Sequence, residues 1–387
     1  MENKENTFKL VAKTFKGLED VLFEELKNLG ASNLEKGNRM VEFTGNKSLM
    51  YKANFHLRTA LRILKPIAEF TVKNENELYD LIQTIDWTEY FDLKDTFAVD
   101  SVVHSTLFSH SKYVALKVKD AIVDQFREKF EKRPFVDTEN PSIRISIHIS
   151  NDLCTVSLDS SGDSLHKRGY RIKTNKAPLN EVLAAGMVLL SGWDQKSVFI
   201  DPMCGSGTLV IEAAMIANNI PPGMYRESFG FETWKDFDAD LLESIYEEDI
   251  PEVKTDIKVL GSDVSEIAIR IAKENVTNAG LKKKIDLLIK PVENYNPPVV
   301  EQGIVITNPP YGERIKKNEI DNFYKVLGDT FKNKYAGFEV WLLSSNFEAI
   351  KHIGLRPSKK YTLFNGPLEC KFLNYSMYKG SIKRGNR

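Results

Sequence analysis

The sequence predicts an α/β protein whose C-terminal part is built on a mostly parallel sheet, and three observations carry that expectation. Apolar strand candidates at Ser197–Ile200, Ile257–Leu260, Ile285–Ile289, Gly303–Ile306 and Phe338–Leu343 alternate with segments of helix length. Their apolar residues run almost unbroken, as in strands covered on both faces. The last two candidates, Lys360–Phe364 and Lys371–Tyr378, flank the turn sequence Asn365-Gly366-Pro367-Leu368 and read as an antiparallel hairpin.

The preceding residues follow a different rhythm. Near the N-terminus, FKLVAKTF reads as a strand, and Leu18, Val21, Leu22, Leu26 and Leu29 fall at helical spacing up to Gly30, a residue suited to end a helix. Alternating segments at Arg39–Phe43 and Leu61–Phe70 enclose a helical stretch, Leu49–Thr59, so residues 1–60 read as a small α+β unit. Residues 61–160 form a second unit. It holds the helical ENELYDLIQTI, the strand TFAVDSVVH, a helix over Lys112–Phe130, and strands over Ser142–Ser150 and Leu153–Leu158. No glycine-rich loop or carboxylate cluster interrupts it, so it reads as a binding or positioning module. Residues 161–387 complete the chain, and a Pro/Gly/aromatic and acidic insertion over Asn218–Asp256 breaks their rhythm.

Composition sets limits on function. At 387 residues the chain suits two or three domains. Cys154, Cys204 and Cys370 lie far apart with no zinc spacing, and neither His166 nor His104 has partner spacing for a metal or a triad. No metal and a reducing cytoplasm are therefore expected. The polar N-terminus lacks a signal-peptide core, and no apolar run is long enough to span a membrane. The formal net charge of -1 leaves any nucleic-acid footprint local. Basic residues gather at Lys167–Lys173, Lys282–Lys284, Lys316–Lys317 and Lys379–Arg387.

Chemistry concentrates in three places. After the strand SVFI comes Asp201-Pro202-Met203-Cys204-Gly205-Ser206-Gly207-Thr208, then a helical apolar run. Two glycines let the backbone approach a ligand, and the helix behind them offers free N–H groups. A dinucleotide fingerprint needs a third glycine where Val210 stands, and a P-loop needs Lys after Gly207, so NAD and ATP are disfavoured. An adenosine ligand without pyrophosphate suits the loop. Asp263, ending the next strand, is placed to accept from ribose hydroxyls. It could instead cap the following helix, but Ser265 can fill that role.

The third place is Thr307-Asn308-Pro309-Pro310-Tyr311-Gly312-Glu313-Arg314. The Asn308 side-chain carbonyl and the Pro309 backbone carbonyl are two acceptors, and neither proline brings an N–H. Such a pair fits an exocyclic amine with two hydrogens, and Tyr311 offers a face on which a base can stack. Holding both N–H bonds favours rehybridisation of the nitrogen and aims its lone pair at an electrophile such as a sulfonium methyl. Cys204, beside the glycine loop, reads as a small packing residue and not a nucleophile.

These residues carry a resemblance. DPMCGSGT, GSDVSEIAI and TNPPYGER resemble the motifs of class I S-adenosylmethionine-dependent methyltransferases that methylate amines. SGDSLHKRGYR followed by APLNEVLAAGMVLLSGW is similar to the entry into the catalytic domain of bacterial THUMP-domain RNA methyltransferases, a family that makes N2-methylguanosine in large-subunit ribosomal RNA. The resemblance implies a Rossmann-like seven-stranded domain over 161–387, with the terminal hairpin as its sixth and seventh strands. It implies a ferredoxin-like subdomain over 1–60 and a THUMP RNA-binding domain over 61–160. Its cofactor would be S-adenosyl-L-methionine, held by Pro178, Leu179, Asp201, Met203, Cys204, Gly205, Ser206, Gly207, Thr208, Asp263, Val264, Glu293 and Asn308. For the adenine contact, either Glu293 or the Val292 backbone can serve. Asn308, Pro309, Pro310 and Tyr311 would be catalytic, and the partner would be ribosomal RNA or a pre-ribosomal particle. Lys167, Arg168 and Arg171 could engage RNA phosphates near the site mouth. Some bacterial members carry a second methyltransferase domain, and this sequence ends at Arg387. DNA adenine-N6 methylation, protein glutamine methylation and a non-catalytic RNA-binding assembly role are the rival readings.

Overall fold

The computed structural model describes residues 7–173, 178–248, 257–312 and 316–378. Glu313, Arg314 and the basic tail from Lys379 lie outside them. The chain divides into two compact units, one comprising residues 1–14, 22–165 and 226–248, the other residues 15–21, 166–225 and 249–387.

In the first unit the elements run β1 (Phe8–Lys13), α1 (Glu19–Asn28, shared with the second unit), β2 (Ser32–Gly37), β3 (Met40–Gly45), α2 (Lys47–His56), β4 (Arg62–Thr71), α3 (Glu75–Gln83), β5 (Thr96–His104), α4 (Ser111–Phe130), β6 (Phe135–Val136), β7 (Ile143–Ser150) and β8 (Leu153–Asp159). They form one sheet in the order β2-β3-β1-β4-β8-β7-β5-β6. The alternation expected over Ser142–Ser150 buries Ile143, Ile145, Ile147 and Ile149 on one face of β7. The sheet continues through β4, which pairs with β1 at one end and with β8 along its length. At Pro66, which has no N–H for the ladder, the β4–β8 register shifts before resuming at Ala68. Two strands escaped the sequence reading. β2 is wholly polar apart from Leu34, and β6 is two exposed residues long.

The second half of the chain continues with α5 (Glu181–Ser191), β9 (Val198–Asp201), α6 (Thr208–Ala217), α7 (Ala239–Glu247), β10 (Val259–Asp263), α8 (Glu266–Asn278), β11 (Ile285–Ile289), β12 (Gly303–Thr307), α9 (Lys317–Lys334), β13 (Phe338–Ser344), α10 (Phe347–Ile350), β14 (Lys359–Asn365) and β15 (Leu368–Ser376). Residues 226–248 of the insertion, α7 included, belong to the first unit. There Phe231 stacks on Tyr51 with ring centroids 3.9 Å apart, and Arg226 donates to the carbonyls of Ser161 and Asp163 at 3.2 and 2.9 Å.

The second unit's sheet runs β11-β10-β9-β12-β13-β15-β14. β9 to β13 are parallel, and β15 pairs antiparallel with both β13 and β14. One face packs Ile200, Val305, Val340 and Leu342 against Tyr324, Leu327 and Phe331 of α9. The strand order reverses between β9 and β12. In open α/β sheets, ligands bind in the crevice outside the carboxyl ends of strands at such a reversal.

Candidate active site

Both loops beside that reversal are held from within. In the loop after β9, Gly205 and Gly207 have φ of +54° and +87°. A Cβ on Gly207 would stand 3.2 Å from the Ala272 Cβ of α8, so backbone angle and packing both demand glycine there. The Met203 N–H donates to Asp201 Oδ1 at 3.1 Å, and the Gly205 N–H donates to Asp263 Oδ2 at 3.0 Å. Asp263 thus braces the loop, while Ser265 caps α8 by accepting from the Ala268 N–H at 3.2 Å. The Asn275 amide of α8 donates to the Ser206 carbonyl at 3.1 Å.

Asp201 is fully buried at the end of β9, and the Thr307 hydroxyl of β12 donates to its Oδ1 at 2.8 Å. Burial pushes its pKa up to about 7, against the opposing pull of the Thr307 and Met203 hydrogen bonds. Cys204 is buried as well, and burial drives its thiol well above the usual range, which keeps it protonated and inert.

In the loop after β12, the acceptors are sorted by their surroundings. The Tyr324 hydroxyl donates to the Pro310 carbonyl at 3.3 Å, and the Asn346 amide donates to the Tyr311 carbonyl at 2.8 Å. Asn308 Oδ1 receives the Tyr311 hydroxyl at 2.6 Å. An amide oxygen has two lone pairs, so one acceptor position remains on it. Tyr311 is half-buried, and the Asn365 amide and the Cys370 thiol approach its hydroxyl at 3.5 and 3.7 Å. The ring expected as an open stacking face is therefore tethered to the hairpin and to Asn308.

The two loops border one cavity of about 650 Å³. It gathers Pro178, Leu179, Asp201, Met203, Cys204, Gly205, Ser206, Thr208, Asp263, Val264, Glu293, Asn308 and Pro310, all singled out in the sequence. Gly207, Pro309 and Tyr311 do not line it. Sequence reading missed one wall, supplied by Glu319, Asn322, Phe323 and Val326 of α9. These fall at i, i+3, i+4 and i+7, beside the core stripe of Ile320, Tyr324, Leu327 and Phe331. The volume suits a drug-sized ligand. Among the described residues Asp201, Asp263, Glu293 and Glu319 line the cavity and no Lys or Arg does, which favours a cationic ligand bearing hydroxyls over a phosphate ester.

Two of the three basic residues proposed for RNA phosphates turn inward, and that expectation is corrected for them. Arg168 is 2 % exposed and lies 3.6 Å from the Glu212 carboxylate, beside the Tyr170 hydroxyl that donates to Glu212 at 3.0 Å. Arg171 donates to Glu181 at 2.6 Å, to the Leu179 carbonyl at 3.1 Å, and to the Thr208 and Ser206 hydroxyls at 2.7 and 3.4 Å. It therefore fastens the Pro178–Leu179 wall to the glycine loop. A buried cation is stable only with such paired carboxylates and acceptors. Lys167 is exposed.

A seven-stranded sheet with this strand order, a glycine loop after β9 and an acceptor loop after its neighbour β12 define a class I methyltransferase domain. Residues 168–374 match the family described as RMKL-like, methyltransferase domain, and the chain belongs to that family. Residues 72–159 match the THUMP domain, and residues 9–64 match the RlmL ferredoxin-like domain. A ribosomal RNA large subunit methyltransferase K/L of Syntrophotalea carbinolica is 39% identical over 95% of the chain. That alignment takes in 53% of the relative, so the chain spans about half the length of such curated proteins. Among solved structures, SMU.472, assigned to the methyltransferases and complexed with SAH, is 31% identical with a TM-score of 0.86 over 97% of this chain and 100% of that one. A protein of Listeria monocytogenes, named from prediction as an N6-adenine-specific DNA methylase, is 31% identical with a TM-score of 0.85 over 96% of this chain and 97% of its own.

Proposed function

We propose that the second unit transfers a methyl group from S-adenosyl-L-methionine to an exocyclic nucleobase amine in RNA, guanine N2 of large-subunit ribosomal RNA. One observation carries the reading. Of the carbonyls in the loop after β12, those of Pro310 and Tyr311 are engaged by Tyr324 and Asn346, while Asn308, which lines the cavity, takes the Tyr311 hydroxyl on its Oδ1 and no second donor among the described residues.

The residues fit the cofactor. The carboxylates suit a cationic ligand, Asp263 at the end of β10 would accept from the ribose hydroxyls, and the Pro178, Leu179, Met203, Val264 and Phe323 side chains would supply apolar cover. Glu293 and Val292 remain the candidates for the adenine contact. When bound, the cofactor supplies an electrophilic methyl on a positively charged sulfur. Asn308 Oδ1 and the Pro309 carbonyl hold the two N–H bonds of the target amine and turn its lone pair toward the cavity. Held along Asp201, Asp263 and Asn308, the cofactor would supply that methyl to the lone pair and keep the electron pair of its sulfur–carbon bond. The nitrogen then loses its excess proton to solvent, since neutral carbonyls cannot retain it. A target base inside a folded RNA must be extruded to reach this crevice.

The name of the Listeria relative favours a second reading, methylation of adenine N6 in DNA, because an adenine amine satisfies the same acceptors. The match of residues 72–159 to the THUMP domain supports RNA. Labelled methyl transfer to RNA and, in parallel, to DNA from a strain lacking the protein, followed by nucleoside analysis of each, separates them. Label in N2-methylguanosine is expected, and label in N6-methyladenine of DNA overturns the reading.

A further inference from the structure

Three of the residues that contact Tyr311 adjoin an aromatic or cationic side chain that is exposed or half-buried. Asn346, which holds the Tyr311 carbonyl, is followed by Phe347, 41% exposed at the start of α10. Cys370, 3.7 Å from the Tyr311 hydroxyl, is followed by Lys371, whose Nζ lies 5.4 Å from the centre of the Phe347 ring. Asn365, 3.5 Å from the same hydroxyl, is preceded by Phe364, over which the exposed Lys16 stands at 5.7 Å. Lys371 also pairs with Glu369 at 3.2 Å and donates to the Thr362 hydroxyl at 3.1 Å. Exposed Lys359 and Lys360 on β14 add positive charge.

We propose that the Phe347–Lys371 and Phe364–Lys16 pairs seat the single-stranded RNA nucleotides that flank the target base. This rests on the reading of the cavity as an RNA methyltransferase site. An aromatic ring used only for packing gains by full burial. Phe347 instead presents its ring to solvent, one residue from the amide that positions the acceptor loop. Base stacking on an aromatic face tolerates any base, and ammonium groups beside it meet the phosphates. The arrangement suits the strand next to an extruded base, where neighbours have lost their own stacking partners. Lys371 covers one face of Phe347, and an approaching phosphate competes with Glu369 for its ammonium.

The test is methyl transfer from labelled S-adenosyl-L-methionine to large-subunit ribosomal RNA transcribed in vitro. Phe347→Ala is expected to raise KM for RNA roughly tenfold with kcat and cofactor affinity unchanged, and Phe347→Trp to restore KM. Lys371→Ala is expected to lower the slope of log affinity against log salt by about 0.7, one counterion on a single strand. Wild-type KM and salt slope in the two alanine variants, with the wild-type enzyme active on this RNA, overturn the surface and leave the proposed reaction standing. A wild-type enzyme that methylates a DNA oligonucleotide and no RNA overturns both.

Discussion

In the loop after β9, the protein occupies backbone donors with its own carboxylates: Asp201 takes the Met203 N–H and Asp263 takes the Gly205 N–H. In the loop after β12 the prolines bring no donors, and the protein occupies surplus acceptors with Tyr324 and Asn346. The first loop is thereby made rigid and negatively lined. The second keeps the Asn308 amide oxygen at the same cavity. The contrast teaches that the first loop governs how tightly a cationic ligand is held, and the second governs how a nucleophile is presented. Damage to the first should appear in cofactor affinity, and damage to the second in turnover.

The comparison breaks most sharply at Asn308. Asn308→Ala is expected to lower kcat by about 10²- to 10³-fold while the cofactor Kd from calorimetry stays within a few-fold. Turnover at the wild-type rate would sink the acceptor mechanism. Asp263→Ala should do the reverse, weakening cofactor affinity by roughly 50-fold, because the Gly205 N–H loses its brace and a buried-edge acceptor is gone. Asn346→Ala removes the donor to the Tyr311 carbonyl together with the α10 cap made through the Ala349 N–H, and a drop in kcat of about tenfold with unchanged cofactor Kd is expected from single-turnover rates.

The pH dependence of cofactor affinity sharpens the picture of the first loop. Asp201 titrates near 7 in the folded protein against 3.8 for a free side chain. The folded state therefore keeps its proton longer than the unfolded chain, and this group costs stability as pH rises from about 4 to 7. A cationic ligand in the cavity favours the carboxylate. Cofactor affinity is expected to increase by up to about tenfold from pH 6 to pH 8, and Asp201→Asn should flatten that rise. A parallel pH profile in the variant places the titration elsewhere. The smallest effect is assigned to Arg171. Arg171→Ala should weaken cofactor binding about fivefold, with Arg171→Lys in between, since lysine keeps the charge but cannot span Glu181, Leu179 and Thr208 together.

Much of the architecture was legible because its signals are local. Continuous apolar strands, a glycine pair between strand and helix, and an Asn-Pro-Pro-Tyr stretch after a strand act over a few residues, and β9 to β15 fall within a few residues of where the pattern put them. What escaped depends on partners distant in sequence. β2 is an edge strand with no apolar alternation, and it forms because β3 offers a ladder. The α9 wall lies beside an ordinary core stripe, so its four residues carry no signal until the helix is docked. Arg168 and Arg171 looked like surface charge because their carboxylates, Glu212 and Glu181, come from helices further along the chain.

The sequence alone determined the chemical vocabulary: two glycines, two strand-end carboxylates, and an amide followed by prolines, each able to do only a few things because of its own covalent structure. Tertiary structure decided the assignments. Burial turned two arginines from candidate phosphate contacts into internal braces. It raised Asp201 toward neutrality and engaged two of the acceptor loop's carbonyls. Those outcomes depend on desolvation and on which groups meet across the sheet, and neither is written in any short stretch of sequence.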